Sequence, residues 1–156
     1  MTLLSGITGL AIIFNGLLAG ITIDTSLVKL PARRRIGNIN YAVFARGNDL
    51  GNGIIVYSSL AISAALLVFT ATLIAFLQKT AGNVMLLLVI ASITTIIHFI
   101  GKAKATPVML SIKKTPNDEM ILKKKFDQFE KWNGLRACFQ FITFILLLYG
   151  FAINRY

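Results

Sequence analysis

Several residue types are scarce in this sequence, and each scarcity closes off a class of function. The chain of 156 residues holds 6 acidic side chains against 16 basic ones, with a single cysteine and a single histidine. One cysteine, Cys138, excludes an intrachain disulfide and any paired-cysteine metal motif. Lying between Ala137 and Phe139 in an apolar run, it reads as a buried, inert thiol. One histidine, His98, cannot build a histidine-rich metal site or a bis-histidine haem within one chain. Phosphate-loop, dinucleotide-binding and nucleophile-elbow motifs are all missing. No metal and no cofactor are therefore expected. No lysine or arginine precedes the first apolar block, the first being Lys29, so the block lacks the pattern of a cleaved signal and is expected to remain as a helix.

What the sequence does have is long apolar runs. Its hydrophobic content is 56% and its charged content 14%, against about 45–50% apolar residues in an ordinary soluble domain. A bilayer core about 30 Å thick requires roughly 20 apolar residues in a helix. Four blocks meet that length, at about 3–23, 54–77, 84–100 and 135–153. Lipid offers no water to unpaired amides, so each block must satisfy its own backbone as a helix. The blocks are too uniformly apolar for barrel strands. The expected fold class is all-α: one integral membrane domain over 1–156, a four-helix bundle.

Charge then orients the bundle. The connections at about 24–53 and 101–134 contain 14 of the 16 basic residues, or all but Lys79 and Arg155, once Arg136 at the start of the last block is included. By the positive-inside rule both long connections are cytoplasmic and both termini lie outside, in a cell inner or plasma membrane. The net charge of +10 flanks apolar blocks instead of forming a basic stripe on a polar domain, so no nucleic acid partner is expected. The lipid bilayer is the expected partner, and Arg33-Arg34-Arg35 reads as a topology signal in contact with anionic lipid.

Smaller signals refine this outline. Gly16 and Gly20 form a GxxxG, with Gly6 and Gly9 further up, and Ser59 and Ser63 form a second small-residue face; both suit close helix packing in lipid. Pro107 and Pro116 bracket Val108 to Lys114 as a short extended stretch. Thr115, Pro116 and Asp118 then read as a helix start with Thr115 as cap. Leu122, Phe126, Phe129 and Trp132 recur on one helical face, an amphipathic interfacial helix running into the last span.

Polar residues near membrane depth are costly and so become functional candidates. Thr22 and Asp24 end the first block, while Asn48, Asp49 and Asn52 precede the second. Thr94, Thr95, His98 and Lys102 close the third, and Trp132, Asn133, Arg136 and Gln140 open the fourth. Asn15 lies deeper, about 13 Å from Asp24 at the helical rise. These groups gather at one level, where they would form a cavity open to the cytoplasmic leaflet. Plainer roles compete: Arg136 snorkelling to phosphates, Trp132 and Tyr149 in aromatic belts, His98 as an interhelical hydrogen-bonder, Asp24 and Asp49 as caps or ion-pair partners. Trp132, Arg136 and Gln140 do recur every fourth residue, on one face.

The segment Gly16-Leu17-Leu18-Ala19-Gly20, followed by Leu30-Pro31-Ala32 and a polar approach to the second block, resembles the anthrone-oxygenase-like family of small membrane proteins. Pro116-Asn117-Asp118 and Trp132-Asn133 with Arg136 opening the last helix carry the same likeness. It spans most of the chain with the same four-helix layout. The resemblance implies oxygenation of a polyphenolic anthrone to an anthraquinone without metal or flavin. It would cast His98 or Asp49 as base, Arg136 and Asn133 as oxyanion holders, and Trp132 as a platform for the flat ring.

The expected function is thus a membrane protein that binds or oxidises a flat lipophilic aromatic in a cytoplasm-facing polar cavity. The candidate chemistry rests on His98, Asp49 and Arg136; ligand binding rests on Trp132, Asn133, Gln140, Asn52 and Asn15. The alternative is a non-catalytic structural or accessory subunit, in a homo-oligomer or a larger membrane complex.

Overall fold

Leu10, Ile13, Leu17, Leu66, Leu73, Ile93, Ile96 and Ile145 all point outward, uncovered by protein. A chain that leaves such side chains on its surface and keeps alanine and threonine inside is built for lipid, where helices associate through small residues. The computed structural model describes residues 3–153; Arg155 lies outside them. It is all-helical, as expected, with α1 (Leu3–Asp24), α2 (Leu30–Ile36), α3 (Asn38–Gly47), α4 (Gly53–Leu77), α5 (Gly82–Ser111) and α6 (Glu119–Ile153).

These elements join end to end into four rods, spanning Leu3–Ile36, Asn38–Leu77, Gly82–Lys114 and Glu119–Ile153, each apolar and long enough to cross a membrane. At the helical rise they are about 50–60 Å long, well beyond the hydrocarbon thickness. The stretches expected as loops at 24–53 and 101–134 are therefore mostly helix. They build a second layer at the basic end, with its own core of Leu30, Tyr41, Leu50, Met109, Ile112 and Phe126.

α1 packs on α4 and α6, and α5 packs on α4 and, most extensively, on α6. The close faces are not those the glycine spacing suggested. A Cβ at Gly16 would come within 2.9 Å of the Phe144 ring, whereas Gly6, Gly9 and Gly20 have open space around them. On α4 the packed face is Ala61, Ala64, Ala65, Val68, Ala71 and Ala75, and Ser59 faces outward, returning its hydroxyl to the Val56 carbonyl. Cys138 is exposed on the outer face of α6, not buried.

Around Pro107 the chain stays helical to Ser111 and continues as a 3-10 turn, Ile112–Lys114, where an extended stretch was expected. Burying Ala105, Met109 and Ile112 in the basic-end core outweighs the hydrogen bond that proline removes. The next helix starts three residues later than its proline suggests. Asp118 caps it, Oδ1 accepting from the Ile121 amide at 2.9 Å, while the Thr115 hydroxyl donates back to the Ser111 carbonyl. The amphipathic stretch forms the first turns of α6, with Leu122, Phe126 and Phe129 turned into the basic-end core. Trp132 is only partly buried beside them, and Asn133 continues the buried face.

Candidate functional site

Two irregular turns interrupt the rods, a π-turn at Thr25–Lys29 after α1 and a kink at Gly51 within Asn48–Asn52 before α4. A π-turn widens a helix locally and recurs at functional sites. Both contribute to the wall of one cavity, through Thr25 from the first and Asp49 and Leu50 from the second. The remaining wall comes from Thr22 of α1, Tyr57 and Ala61 of α4, His98, Lys102 and Thr106 of α5, and Phe129 and Arg136 of α6. All four rods meet there, at the depth where the polar residues cluster in the sequence.

Both α4 and α5 contribute to that wall. Toward the far end these helices are tied by the Thr72 and Ser92 hydroxyls at 2.9 Å, with Thr72 also donating to the Leu88 carbonyl. Nearer the basic end Ile54, Tyr57 and Ser58 of α4 and Met109 and Leu110 of α5 line the cavity. The cavity encloses about 90 Å³, room for about three waters at roughly 30 Å³ each and below the roughly 300–1,000 Å³ of a pocket that swallows a drug-sized ligand.

α6 is held against α5 by a close backbone approach. A Cβ on Gly101 would sit 3.1 Å from the Arg136 Cβ, so glycine lets the two helices touch one turn from His98. His98 Nδ1 stands 3.0 Å from the Arg136 carbonyl oxygen. A carbonyl only accepts, so Nδ1 carries the proton and Nε2 is the basic nitrogen left to the cavity that His98 lines. Arg136 Nε donates to Asn133 Oδ1 at 2.8 Å, and Asn133 Nδ2 donates to the Ser26 hydroxyl at 2.6 Å. The buried Asn133 thereby aims the guanidinium, whose carbon lies 5.8 Å from the Phe129 ring centroid. Lys102, one turn beyond His98, supplies a second cation. Asp49 supplies the only carboxylate among the lining residues; Oδ1 accepts from Asn48 at 3.2 Å, and Oδ2 is buried without a partner.

His98, Asp49 and Arg136 thus share one cavity. The binding residues picked from sequence do not line it. Asn133 supports Arg136 from behind. Asn52 is exposed. Trp132 packs beside the basic-end core, so the aromatic walls are Tyr57 and Phe129 instead. Asn15 and Gln140 clasp each other deeper in the bundle: Gln140 Nε2 donates to Asn15 Oδ1 at 2.7 Å, and Asn15 Nδ2 donates to the Ala11 and Ala64 carbonyls. That clasp ties α1, α4 and α6 and satisfies both amides internally.

The plainer roles also resolve. Asp24 pairs with Lys29 at 3.5 Å. Arg33, expected at the lipid surface with its neighbours, is buried, and its Nη2 bridges Asp127 at 2.7 Å and Glu130 at 2.9 Å. Thr106 and Tyr57 were missed, and Lys102 was noted among the polar groups of the third block without being picked for the site, although His98, Lys102 and Thr106 recur every fourth residue on α5. Among the described residues no cluster of His, Cys, Asp and Glu could hold a metal ion. Comparison with known proteins leaves the site to speak for itself: no known family, curated protein or solved structure matches this chain.

Proposed function

We propose that this membrane protein binds the acidic head of a lipophilic molecule that enters sideways from the bilayer between α4 and α5. The single observation that carries the reading is the juxtaposition of Arg136 and Lys102 on the wall of a small cavity lined mainly by apolar residues. Two cations against the single Asp49 carboxylate leave an excess positive charge at membrane depth, which is expensive unless a further anion meets it. A volume of about 90 Å³ admits a phenolate or carboxylate head but not several fused rings. The apolar body would then lie in the cleft against Ile54, Tyr57 and Leu110. A flat aromatic suits that cleft because Tyr57 offers a ring face. The basic end faces the cytoplasm in this reading, both termini face outward, and the ligand comes from the cytoplasmic leaflet.

Purification in mild detergent, followed by mass spectrometry of co-purifying small molecules, tests this. An acidic lipophilic compound retained by the wild type and lost in Arg136→Gln and in Lys102→Gln supports it. A preparation carrying only a partner protein would favour the accessory-subunit alternative.

A second reading, cofactor-free oxygenation, rests on His98. In a cavity widened beyond about 90 Å³ to admit the reacting ring, the His98 Nε2 could take a proton from an activated C–H of an anthrone-like phenol, and Arg136 could hold the phenolate. Dioxygen would accept the electrons, leaving a quinone and water. Oxygen uptake with an anthrone, lost in His98→Gln while binding persists, is the expected result. No uptake with a bound anthrone would leave binding alone.

A further inference from the structure

Four buried polar atoms have no hydrogen-bond partner among the described residues: Arg33 Nε and Nη1, the Tyr41 hydroxyl and Asp49 Oδ2. An unpaired buried donor or acceptor carries its full desolvation penalty, so a group of them demands an explanation. They are not scattered. Arg33 lines a recess on the basic-end surface together with Asn38, Lys123, Asp127 and Glu130. Asp49 lines the cavity between the rods. Tyr41 lies on α3, the element joining these two regions, and is 1% exposed.

Phe126 links the first two. The Arg33 guanidinium carbon lies 5.6 Å from its ring centroid, and the Tyr41 ring meets it edge-on at 4.9 Å. The chemistry of the series is directional. The guanidinium N–H groups can only donate, the hydroxyl can do both, and the carboxylate oxygen can only accept. An anion placed here would face Asp49, and a cation would face Arg33. Water satisfies all of them, since a buried water makes two to four bonds to such partners.

We propose that a string of ordered water runs from the recess at Arg33, past the Tyr41 hydroxyl, to Asp49 Oδ2, hydrating the intramembrane cavity from the basic end. Such a string exchanges protons along its hydrogen bonds, so Asp49 stays in proton contact with the basic-side solvent. The inference is independent of what the cavity binds.

The test uses the full chain in lipid nanodiscs. X-ray hydroxyl-radical labelling in heavy-oxygen water marks side chains that touch bound water even where bulk solvent does not reach. Tyr41 and Phe126 are expected to take up label like the exposed Phe44, while Leu88 and Leu147 in the apolar core stay silent. Tyr41→Phe is expected to remove the label at Phe126 and to lower Tm by about 2–4 °C, because the hydroxyl's bonds to water are lost. Silence at Tyr41 and Phe126 overturns the proposal. So does a Tyr41→Phe protein with unchanged or raised Tm, since removing a truly unpaired hydroxyl relieves its penalty.

Discussion

The imidazole Nδ1 of His98 donates to the main-chain carbonyl of Arg136 across 3.0 Å, coupling the only histidine to the helix that carries the cavity's guanidinium. The contact is possible because Gly101, one turn further along α5, lets the α6 backbone approach. His98→Leu keeps the bulk and loses the bond. It is expected to destabilise the chain by about 1–3 kcal/mol, lowering Tm by about 2–4 °C for each kcal/mol. Thermal unfolding in detergent measures this. An unchanged Tm would show that the bond only accompanies the packing.

Arg46 fastens the turn between α5 and α6. Its Nε donates to the Ile112 carbonyl at 3.2 Å, Nη2 to the Thr115 carbonyl at 2.7 Å and Nη1 to Asn117 Oδ1 at 2.9 Å. Arg46→Ala removes all three and is expected to lower stability by about 2 kcal/mol. Trypsin should then cut faster after Lys113 and Lys114. Equal cutting rates in variant and wild type would contradict the clamp.

Glu119 caps α3 from the neighbouring rod, accepting from the Asn38 and Ile39 amides at 2.8 and 3.1 Å, where Gly37 turns the chain with φ of 84°. The Asn38 amide and its side chain hold the Glu119 carboxyl below the ordinary glutamate range. A depressed folded value means the stabilisation is fully present above the unfolded value of about 4.3 and fades as pH falls from there through the folded one. Tm measured from pH 7 down to pH 3 should fall less steeply below about pH 4.3 in Glu119→Gln than in the wild type. Parallel profiles would dismiss the cap.

Membrane orientation follows from lysines alone. An impermeant amine reagent applied to intact cells is expected to label Lys79, in the short α4–α5 connection, and to spare Lys113, Lys114, Lys123 and Lys124 at the basic end. The reverse pattern would invert the assignment.

The four rods were legible because length and apolarity suffice in lipid, where a span has no alternative to helix. The gathering of His98, Asp49 and Arg136 around one cavity was legible too, since they are polar groups at three apolar boundaries. The finer picks failed for specific reasons. Asn15 and Gln140 looked like ligand groups, but nothing in the chain announces that two amides will satisfy each other across 125 residues. Trp132 and Asn133 are adjacent on α6, about 100° apart around the helix, and only the tertiary contacts decide which faces inward. The π-turn at Thr25–Lys29 rotates what lies beyond it and carries no composition signal of its own, whereas the kink at Gly51 falls in the turn-forming run Asn48–Gly53. Arg33 reads as surface charge until Asp127 and Glu130 arrive from α6 to meet it.

The central claim is that the cavity selects an acidic head on an apolar body. Titration calorimetry of the detergent-solubilised chain with a flat aromatic carboxylic acid, and with its uncharged primary amide, tests it most directly. The account predicts that the acid binds at least about tenfold more tightly than the amide, a difference of about 1.4 kcal/mol, and that Arg136→Gln and Lys102→Gln each erase most of that preference. Equal affinity for acid and amide, or a preference that survives both substitutions, would contradict it.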